Sequence, residues 1–579
     1  MVRSGTRPPG GPSLSTDAPP WAGSYAPGVP LHLDYPDHSL VDQLERAVER
    51  HADRVALDFL GRTTTYAELA DQVERAAEGL RRLGVGPGDP VALLMPNCPQ
   101  HVVAFHAVVR LGAVVVEHNP LYTSEELRAP FADHGARVAV VWDKVVPVVD
   151  ALREGSALEH VVAVDLTAAL PLAKRVALRL PIAKARRARA ELTAPAPGAV
   201  PWAELVAAPP VARDHPRPTA DDVALVLYTS GTTGTPKGAE LRHRNLVANC
   251  AQGRAWVSGL REGEETFLVA LPLFHAYGVT VSVLLGVMLG ARLVLLPKPD
   301  VDLVLDAVGR RVPTFVPAVP PLYRRIAEEA QRRGVSLQGI RYGLSGAMPL
   351  PAELVERWEA TTGGLLVEGY GLTETSPVIV GNPMSTGRRP GAIGVPFPDT
   401  EVRVADRDDL DRDVALGEPG ELLVRGPQVF DGYRGRPEET GAAFHDGWFR
   451  TGDVVTMSED GFLTVVDRVK ELIITGGFNV YPSEVEAALR THPDVADAAV
   501  VGVPDGSGSE QVVAAVVAAP GRTPGPAALD EHARAALTAY KVPRRYVVLD
   551  ELPTNPMGKV LRREVLTLVQ EREAAGPAV

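Results

Sequence analysis

The run Tyr228–Gly238, YTSGTTGTPKG, constrains this chain more than any other stretch. It follows Val223-Ala224-Leu225-Val226-Leu227, an unbroken apolar run that predicts a buried strand. Its eleven residues hold three Gly, five Ser or Thr, one Pro and one Lys. Glycine lets a backbone come close to a ligand. Successive amide N–H groups and hydroxyls can then surround phosphate oxygens, with Lys237 adding a positive charge. A Walker loop continues GK into Ser or Thr and a helix. Here Pro236 precedes Lys237 and Gly238 follows it, so no helix begins there. The plain alternative is a polar turn after a strand.

Size and charge narrow the classes. A chain of 579 residues has room for two to four domains, and 45% hydrophobic residues make it globular. Its net charge of −13 argues against a nucleic-acid partner, which a broad basic face would serve. Cys98 and Cys250 are too few for a disulfide framework or a zinc site, which suits a reducing cytoplasm. The first thirty residues hold seven Pro and five Gly without an apolar core, predicting a flexible tail and no secretory signal. Val279–Leu296 is the most apolar long stretch, but Ser282, Gly286, Gly290 and Arg292 make it a buried helix and strand rather than a membrane span.

Helical spacing at Leu69, Val73, Ala76, Leu80 and Leu83, and strand-like runs at Val91–Met95 and Val114–Glu117, predict a parallel sheet covered by helices. Ser124 is a candidate cap for the helix entered through NPLYTSEEL. Three later units repeat a strand followed by a small-residue loop: TFLVALPLFHAYG, RYGLSGAMPL and LLVEGYGLTETSP. His275 sits at the end of the first, where open α/β sheets bind ligands, although a lone His there serves packing as readily. In the third, Tyr370 can stack on a base, Thr373 can bond a phosphate and Glu374 can hold a magnesium ion. Together these strand ends predict one crevice for a nucleotide with its metal. Beyond Gly417 the chain reads β-rich, and Asp453, expected after a turn, can accept bonds from ribose hydroxyls. From about Lys470 a compact α/β unit follows, with Lys559 in a loop before a final helix.

One segment stands apart. Leu166–Leu192 carries Lys174, Arg175, Arg179, Lys184, Arg186, Arg187 and Arg189 with no acid before Glu191, and Leu172, Val176 and Leu180 share one helix face. It reads either as a basic amphipathic element touching an anionic membrane or as a solvated helix on its own domain. Pro171 and Pro181 shorten any helix there.

With these residues in place, the chain resembles the AMP-forming adenylating ligases: acyl-CoA synthetases, peptide-synthetase adenylation domains and luciferases. The likeness runs from about Leu40 to Leu566. Eight motifs stand in the family's order: YTSGTTGTPKG, LPLFHAYG, EGYGLTETSP, GELLVRG, TGD, DRVKELI, GGFNVYPSEVE and PTNPMGK. GAM at Gly346 departs slightly from the family's GGA or GGG but keeps small residues. NPLYTSEEL and the basic segment look most like medium- or long-chain fatty acyl-CoA ligases. Beyond the flexible tail (1–30) read from composition, the resemblance implies an α/β fold in two parts: a large N-terminal adenylating domain (31–469) of α/β subdomains with a β-rich subdomain, and a small mobile α+β domain (470–579).

It also implies a chemistry. A carboxylic acid reacts with ATP to give acyl-AMP and pyrophosphate, and coenzyme A then takes the acyl group. Thr229, Ser230, Gly231, Thr232, Thr233, Gly234 and Lys237 would hold the β- and γ-phosphates. Gly346, Ala347, Tyr370 and Gly371 would border adenine, Thr373 the α-phosphate, and Asp453 with Arg468 the ribose. Glu374 would hold Mg²⁺, Lys559 would bridge the two anions, and His275 would orient the acyl carbonyl or gate its pocket. Lys470 would be the hinge that brings Gly476, Gly477 and Phe478 to the pantetheine channel. An aryl- or branched-acid ligase, an enzyme that loads a carrier-protein thiol, and a nucleotide-binding scaffold without catalysis remain as alternatives. The oligomeric state is not legible.

Overall fold

The structure, a computed structural model, describes residues 19–230, 236–468, 471–475, 478–504, 510–555 and 558–574. Local rules account for its helices. Helix Tyr66–Arg82 opens on a reciprocal cap, in which Thr65 accepts the N–H of Glu68 while Glu68 accepts that of Thr65. Two otherwise orphaned donors are thereby satisfied. Its stripe of Leu69, Val73, Ala76 and Leu80 is buried. Helix Ser124–His134 uses the same device through Thr123 and Glu126. The expected cap, Ser124, is instead the first helical residue, because only Thr123 stands three residues before Glu126 and can exchange both bonds.

Five sheets form among the described residues. The first has seven strands, in the order Val200–Pro201, His160–Val164, Val138–Trp142, Pro90–Leu94, Val114–Glu117, Val223–Ser230 and Pro236–Arg242. It is parallel except for the last pair, which is antiparallel. The second has nine strands, with Thr266–Val269, Phe315–Ala318, Tyr342–Ser345 and Leu365–Gly371 running parallel near its middle. Helices Tyr66–Arg82, Pro99–Arg110 and His243–Trp256 share one buried cluster with strands of both sheets. A third, antiparallel sheet runs from Glu401–Ala405 to Leu463–Arg468. The hairpin Ile473–Thr475/Phe478–Val480 and the sheet Val495–Pro504, Glu510–Ala518, Arg545–Leu549 follow, with helices Pro482–Arg490, Pro526–Ala536 and Arg562–Ala574. The expected mixed α/β architecture, large part first and small part last, is what the chain adopts.

Two expectations need correction. The tail was expected to run to residue 30, yet the chain packs on the rest of the molecule from Trp21 on. Ser24 Oγ donates to the Asp460 carbonyl at 2.9 Å, Tyr25 Oη to that of Pro396 at 2.7 Å, and the Tyr25 ring stands edge-on to Trp256 at 5.2 Å. Two aromatic side chains, Trp21 and Tyr25, anchor a segment whose Pro and Gly content hid them. Asp453 does not follow a turn. It lies inside the long strand Trp448–Met457, paired with Arg468 of the next strand. No helix among the described residues is long and apolar enough to cross a membrane.

Candidate active site

Four parallel strands of the nine-stranded sheet end at one edge, so the loops after them line a common crevice. His275 lies in the loop after Thr266–Val269. Gly346 and Ala347 follow Tyr342–Ser345, while Tyr370 and Gly371 close Leu365–Gly371 just before the turn Thr373–Thr375. The His275 loop passes into a wide helix with i→i+5 winding, Tyr277–Leu284. Gly278 is required there, since a Cβ would stand 1.9 Å from the Pro272 carbonyl oxygen. Tyr277 Oη donates to the Leu344 carbonyl at 2.5 Å, tying this helix to the next strand.

The phosphate-loop candidate is bracketed by a ladder. Val223–Ser230 and Pro236–Arg242 pair with Tyr228 opposite Gly238, Thr229 opposite Lys237 and Ser230 opposite Pro236. Gly231, Thr232, Thr233 and Gly234 lie outside the described residues. The outer edge of Pro236–Arg242 takes up a strap from the third sheet. Ala239 bridges Tyr433, the Glu240 N–H donates to the Gly432 carbonyl at 3.2 Å, and the Arg434 N–H to that of Gly238 at 2.8 Å. Tyr433 thereby reaches both ends of the candidate triphosphate site. Its hydroxyl donates to Glu374 Oε1 at 2.8 Å, and its ring lies 5.5 Å from the Lys237 ammonium. Glu374 is also fixed through its backbone, whose carbonyl accepts the Phe430 N–H at 2.8 Å. Nothing in the sequence singled out Tyr433, because its role depends on a strand pairing between segments almost two hundred residues apart. The signal available was only a Gly-Tyr pair after GELLVRG.

Asp453, Tyr370 and Arg468 come together as expected. Tyr370 Oη donates to Asp453 Oδ2 at 2.5 Å, and Arg468 Nε lies 3.0 Å from Asp453 Oδ1. Burial, reinforced by Asp453, holds the Tyr370 hydroxyl well above its ordinary pKa, so it stays a donor. Each carboxylate oxygen keeps a second lone pair for another hydroxyl.

His275 is neutral, pushed down to about 4 by burial, and among the described residues its buried Nε2 has no hydrogen-bond partner. Glu368, which sequence reading passed over, is also buried here, and its Oε2 accepts the Leu350 N–H at 3.1 Å. Burial raises its carboxyl to about 7. It holds the far end of the loop that begins at Gly346.

The carboxyl-terminal loop closes on that same loop. Asn555 and Lys559 exchange bonds, with the Asn555 N–H donating to the Lys559 carbonyl and the Lys559 N–H to Asn555 Oδ1, both at 2.9 Å. Gly558, at φ +81°, lies so close to the large domain that a Cβ would be 3.3 Å from Met348 Sδ and 3.9 Å from Pro321 Cγ. Glu471 is half-buried, and its desolvation raises its carboxyl. The charges of Arg562, Arg468 and Lys559 more than offset this and hold it below its ordinary value. Lys470, Gly476 and Gly477 lie outside the described residues, and Phe478 opens a short strand.

Among the described residues no group of three or more His, Cys, Asp or Glu could hold a metal ion. Glu374 offers one carboxylate. That donor set fits a magnesium ion that keeps its waters and arrives on phosphate oxygens.

A family described as AMP-binding enzyme matches residues 44–434, and one described as AMP-binding enzyme C-terminal domain matches residues 484–559. A long-chain-fatty-acid–CoA ligase of Bacillus subtilis is 35% identical over 94% of this chain and 97% of its own length. A feruloyl-CoA synthase of Amycolatopsis is 38% identical over 87% of this chain and 94% of its own. Among solved structures, ATP-bound MatB from Rhodopseudomonas palustris superposes with a TM-score of 0.78 at 29% identity, covering 92% of this chain and 99% of that one. The anthranilate CoA ligase AuaEII in complex with anthranoyl-AMP gives 0.77 at 27%, covering 94% and 99%.

The Glu368 carboxyl makes a prediction for stability. A folded-state value of about 7 against an ordinary 4.5 means that protonation favours the fold. Its stabilising contribution is complete below pH 4.5 and lost as pH rises through 7. Glu368→Gln, whose Oε1 can still accept the Leu350 N–H, removes this dependence. Relative to the parent, the variant should gain about 3 kcal/mol between those limits, at about 1.4 kcal/mol per pH unit. Urea denaturation of both proteins across that range measures it, and parallel pH profiles would refute the assignment.

Proposed function

Because the chain belongs to the AMP-binding enzyme family, we propose that it is an AMP-forming acid–thiol ligase that converts a medium- or long-chain fatty acid to its coenzyme A thioester. The observation that carries this reading is the closure of the Lys559 loop on the Gly346–Leu350 loop through Gly558 and Met348. It supports a role for Lys559, one residue on from Gly558, at the edge where the nucleotide residues are proposed to converge.

In the first half-reaction the acid's carboxylate attacks the α-phosphorus of ATP, a P–O bond forms, and pyrophosphate leaves. Both reactants are anions, so their approach must be offset by positive charge. Lys559 bridges the carboxylate and an α-phosphate oxygen and aligns them. Thr229, Ser230, Gly231, Thr232, Thr233, Gly234 and Lys237 hold the β- and γ-phosphates, and Thr373 holds the α-phosphate. Tyr370, its hydroxyl pinned by Asp453, offers a fixed ring face to adenine beside Gly346, Ala347 and Gly371, while Asp453 with Arg468 takes the ribose. A magnesium ion held partly by Glu374 would supply positive charge to the departing pyrophosphate. Tyr433 keeps that carboxylate oriented by occupying Oε1.

In the second half-reaction the CoA thiol attacks the acyl-AMP carbonyl, a thioester forms, and AMP leaves. The small domain (470–579) would turn about Lys470 relative to the large one (31–469), withdrawing Lys559 and presenting Gly476, Gly477 and Phe478 to the pantetheine arm. The unpartnered Nε2 of His275 orients the acyl carbonyl or gates its pocket. Val279–Val283 and Pro317–Tyr323 are the segments whose side chains would line the acyl pocket.

The feruloyl-CoA synthase relative favours a second reading, an aryl-acid ligase of the same mechanism. Pyrophosphate exchange over a panel of straight-chain and aryl acids separates the two. Exchange that rises with chain length is expected, and exchange with aryl acids alone would replace the fatty-acid assignment. Lys559→Ala should lower acyl-AMP formation by roughly a hundredfold or more, the scale of losing a positioned charge. It should spare thioester formation from supplied acyl-AMP, and equal losses in both steps would remove the two-pose scheme. Tyr433→Phe should weaken Mn²⁺ binding in the presence of ATP about tenfold, by electron paramagnetic resonance titration, as expected when a ligand's orienting partner is lost. ATP binding without metal should hold, because the ring beside Lys237 remains.

A further inference from the structure

The chain between strands His160–Val164 and Val200–Pro201 is a crossover joining two adjacent parallel strands. Crossover helices normally bury an apolar face on their sheet. Helix Pro99–Arg110 does so along almost its whole length. The crossover helices Leu172–Ala177 and Ala183–Leu192 do not: the first buries no residue and the second only Ala185. The segment is nevertheless held in place. Leu178 and Leu192 pack on the main core, Trp142 Nε1 donates to the Leu192 carbonyl at 2.9 Å, and Lys174 Nζ to that of Leu60 at 3.0 Å.

What it turns outward is apolar. Leu172 is 73% exposed, Val176 56%, Leu180 48% and Ile182 53%. These are four of the nine exposed large apolar side chains among the described residues, all within eleven positions, so they form a patch rather than scatter. Around them Lys174, Arg179, Lys184, Arg186, Arg187 and Arg189 are exposed, and Arg175 is half-buried. Lys174 and Arg186 bond main-chain carbonyls, and among the described residues none of the seven pairs with a carboxylate. Elsewhere on this acidic chain exposed arginines do find acidic partners, as Arg332 finds Glu329 and Arg137 finds Glu159. An unpaired cationic rim around an uncovered apolar row is complementary to a surface that is anionic outside and apolar beneath.

We propose that residues 171–190 are a docking face for an anionic lipid bilayer, with Leu172, Val176, Leu180 and Ile182 entering the acyl boundary and the surrounding cations meeting headgroup phosphates. The purpose of this contact, drawing a fatty acid from the bilayer, rests on the ligase reading; the contact itself does not.

The test is co-sedimentation of the full chain with phosphatidylcholine vesicles, either pure or containing about a third phosphatidylglycerol. Binding to the anionic vesicles, weakened by salt, is expected, with at least tenfold less to the neutral ones. Leu172→Asp with Val176→Asp, and separately Arg186→Glu, Arg187→Glu and Arg189→Glu together, should each lower partition at least tenfold. Activity on a water-soluble acid should be unchanged, which verifies the fold. Unchanged partition in either variant overturns the proposal. So does failure of the parent to bind, or a concentration-dependent dimer abolished by the Leu172/Val176 change without vesicle binding. Vesicle binding by a protein that makes no acyl-CoA would sink the ligase reading and leave the docking face standing.

Discussion

The antiparallel return of Pro236–Arg242 onto Val223–Ser230 is the constraint from which the crevice follows. Every other neighbouring pair in that sheet is parallel, and Pro236–Arg242, pairing with Val223–Ser230 alone, ends the sheet as an edge strand. Pro236 is tolerated because it opens an edge strand. Ser230 is thereby set opposite Pro236, and Lys237 opposite Thr229. An edge strand also has free hydrogen-bonding groups, and the Gly432–Arg434 strap takes them up. Through that strap the third sheet is registered against the first, and Tyr433 arrives between Lys237 and Glu374.

A second set of constraints is electrostatic. Asp453, Arg468, Glu471, Arg562 and Glu486 alternate in sign from the large part of the molecule into the small one. Buried charges are tolerated only when paired, so these groups fix geometry more than they add stability. Arg468 and Glu471 flank Lys470 in the chain, and their mutual attraction acts across that point. Glu471 also pairs directly with Arg562, so the small part is braced near the same place by its own last helix.

Much of this was legible in the linear order of residues because the relevant forces are local. Apolar runs leading into small-residue loops predict strands that stop at a ligand edge, and the three read that way stop together with a fourth, Phe315–Ala318. Reciprocal caps are legible too, but Thr123 rather than Ser124 is the cap because the spacing to Glu126 decides it. Asp453 was found by its motif and misplaced in its element, since a strand that runs through TGD looks like a turn when only Gly452 is visible. Tyr433 and Glu368 escaped notice because neither has a local signature. One matters through a strap, the other through burial under a loop.

The amino-acid order by itself determined the α/β architecture and marked the candidate phosphate loop and the residues proposed to meet a nucleotide, because periodicity, glycine placement and motif spacing act within a few residues. The tertiary structure alone decided which of those residues meet, that Tyr433 links Lys237 to Glu374, that Gly558 lies against Met348, and that the apolar row at Leu172–Ile182 faces outward. Those outcomes depend on contacts between distant segments and on how much solvent each side chain keeps. Neither quantity exists until the chain has folded.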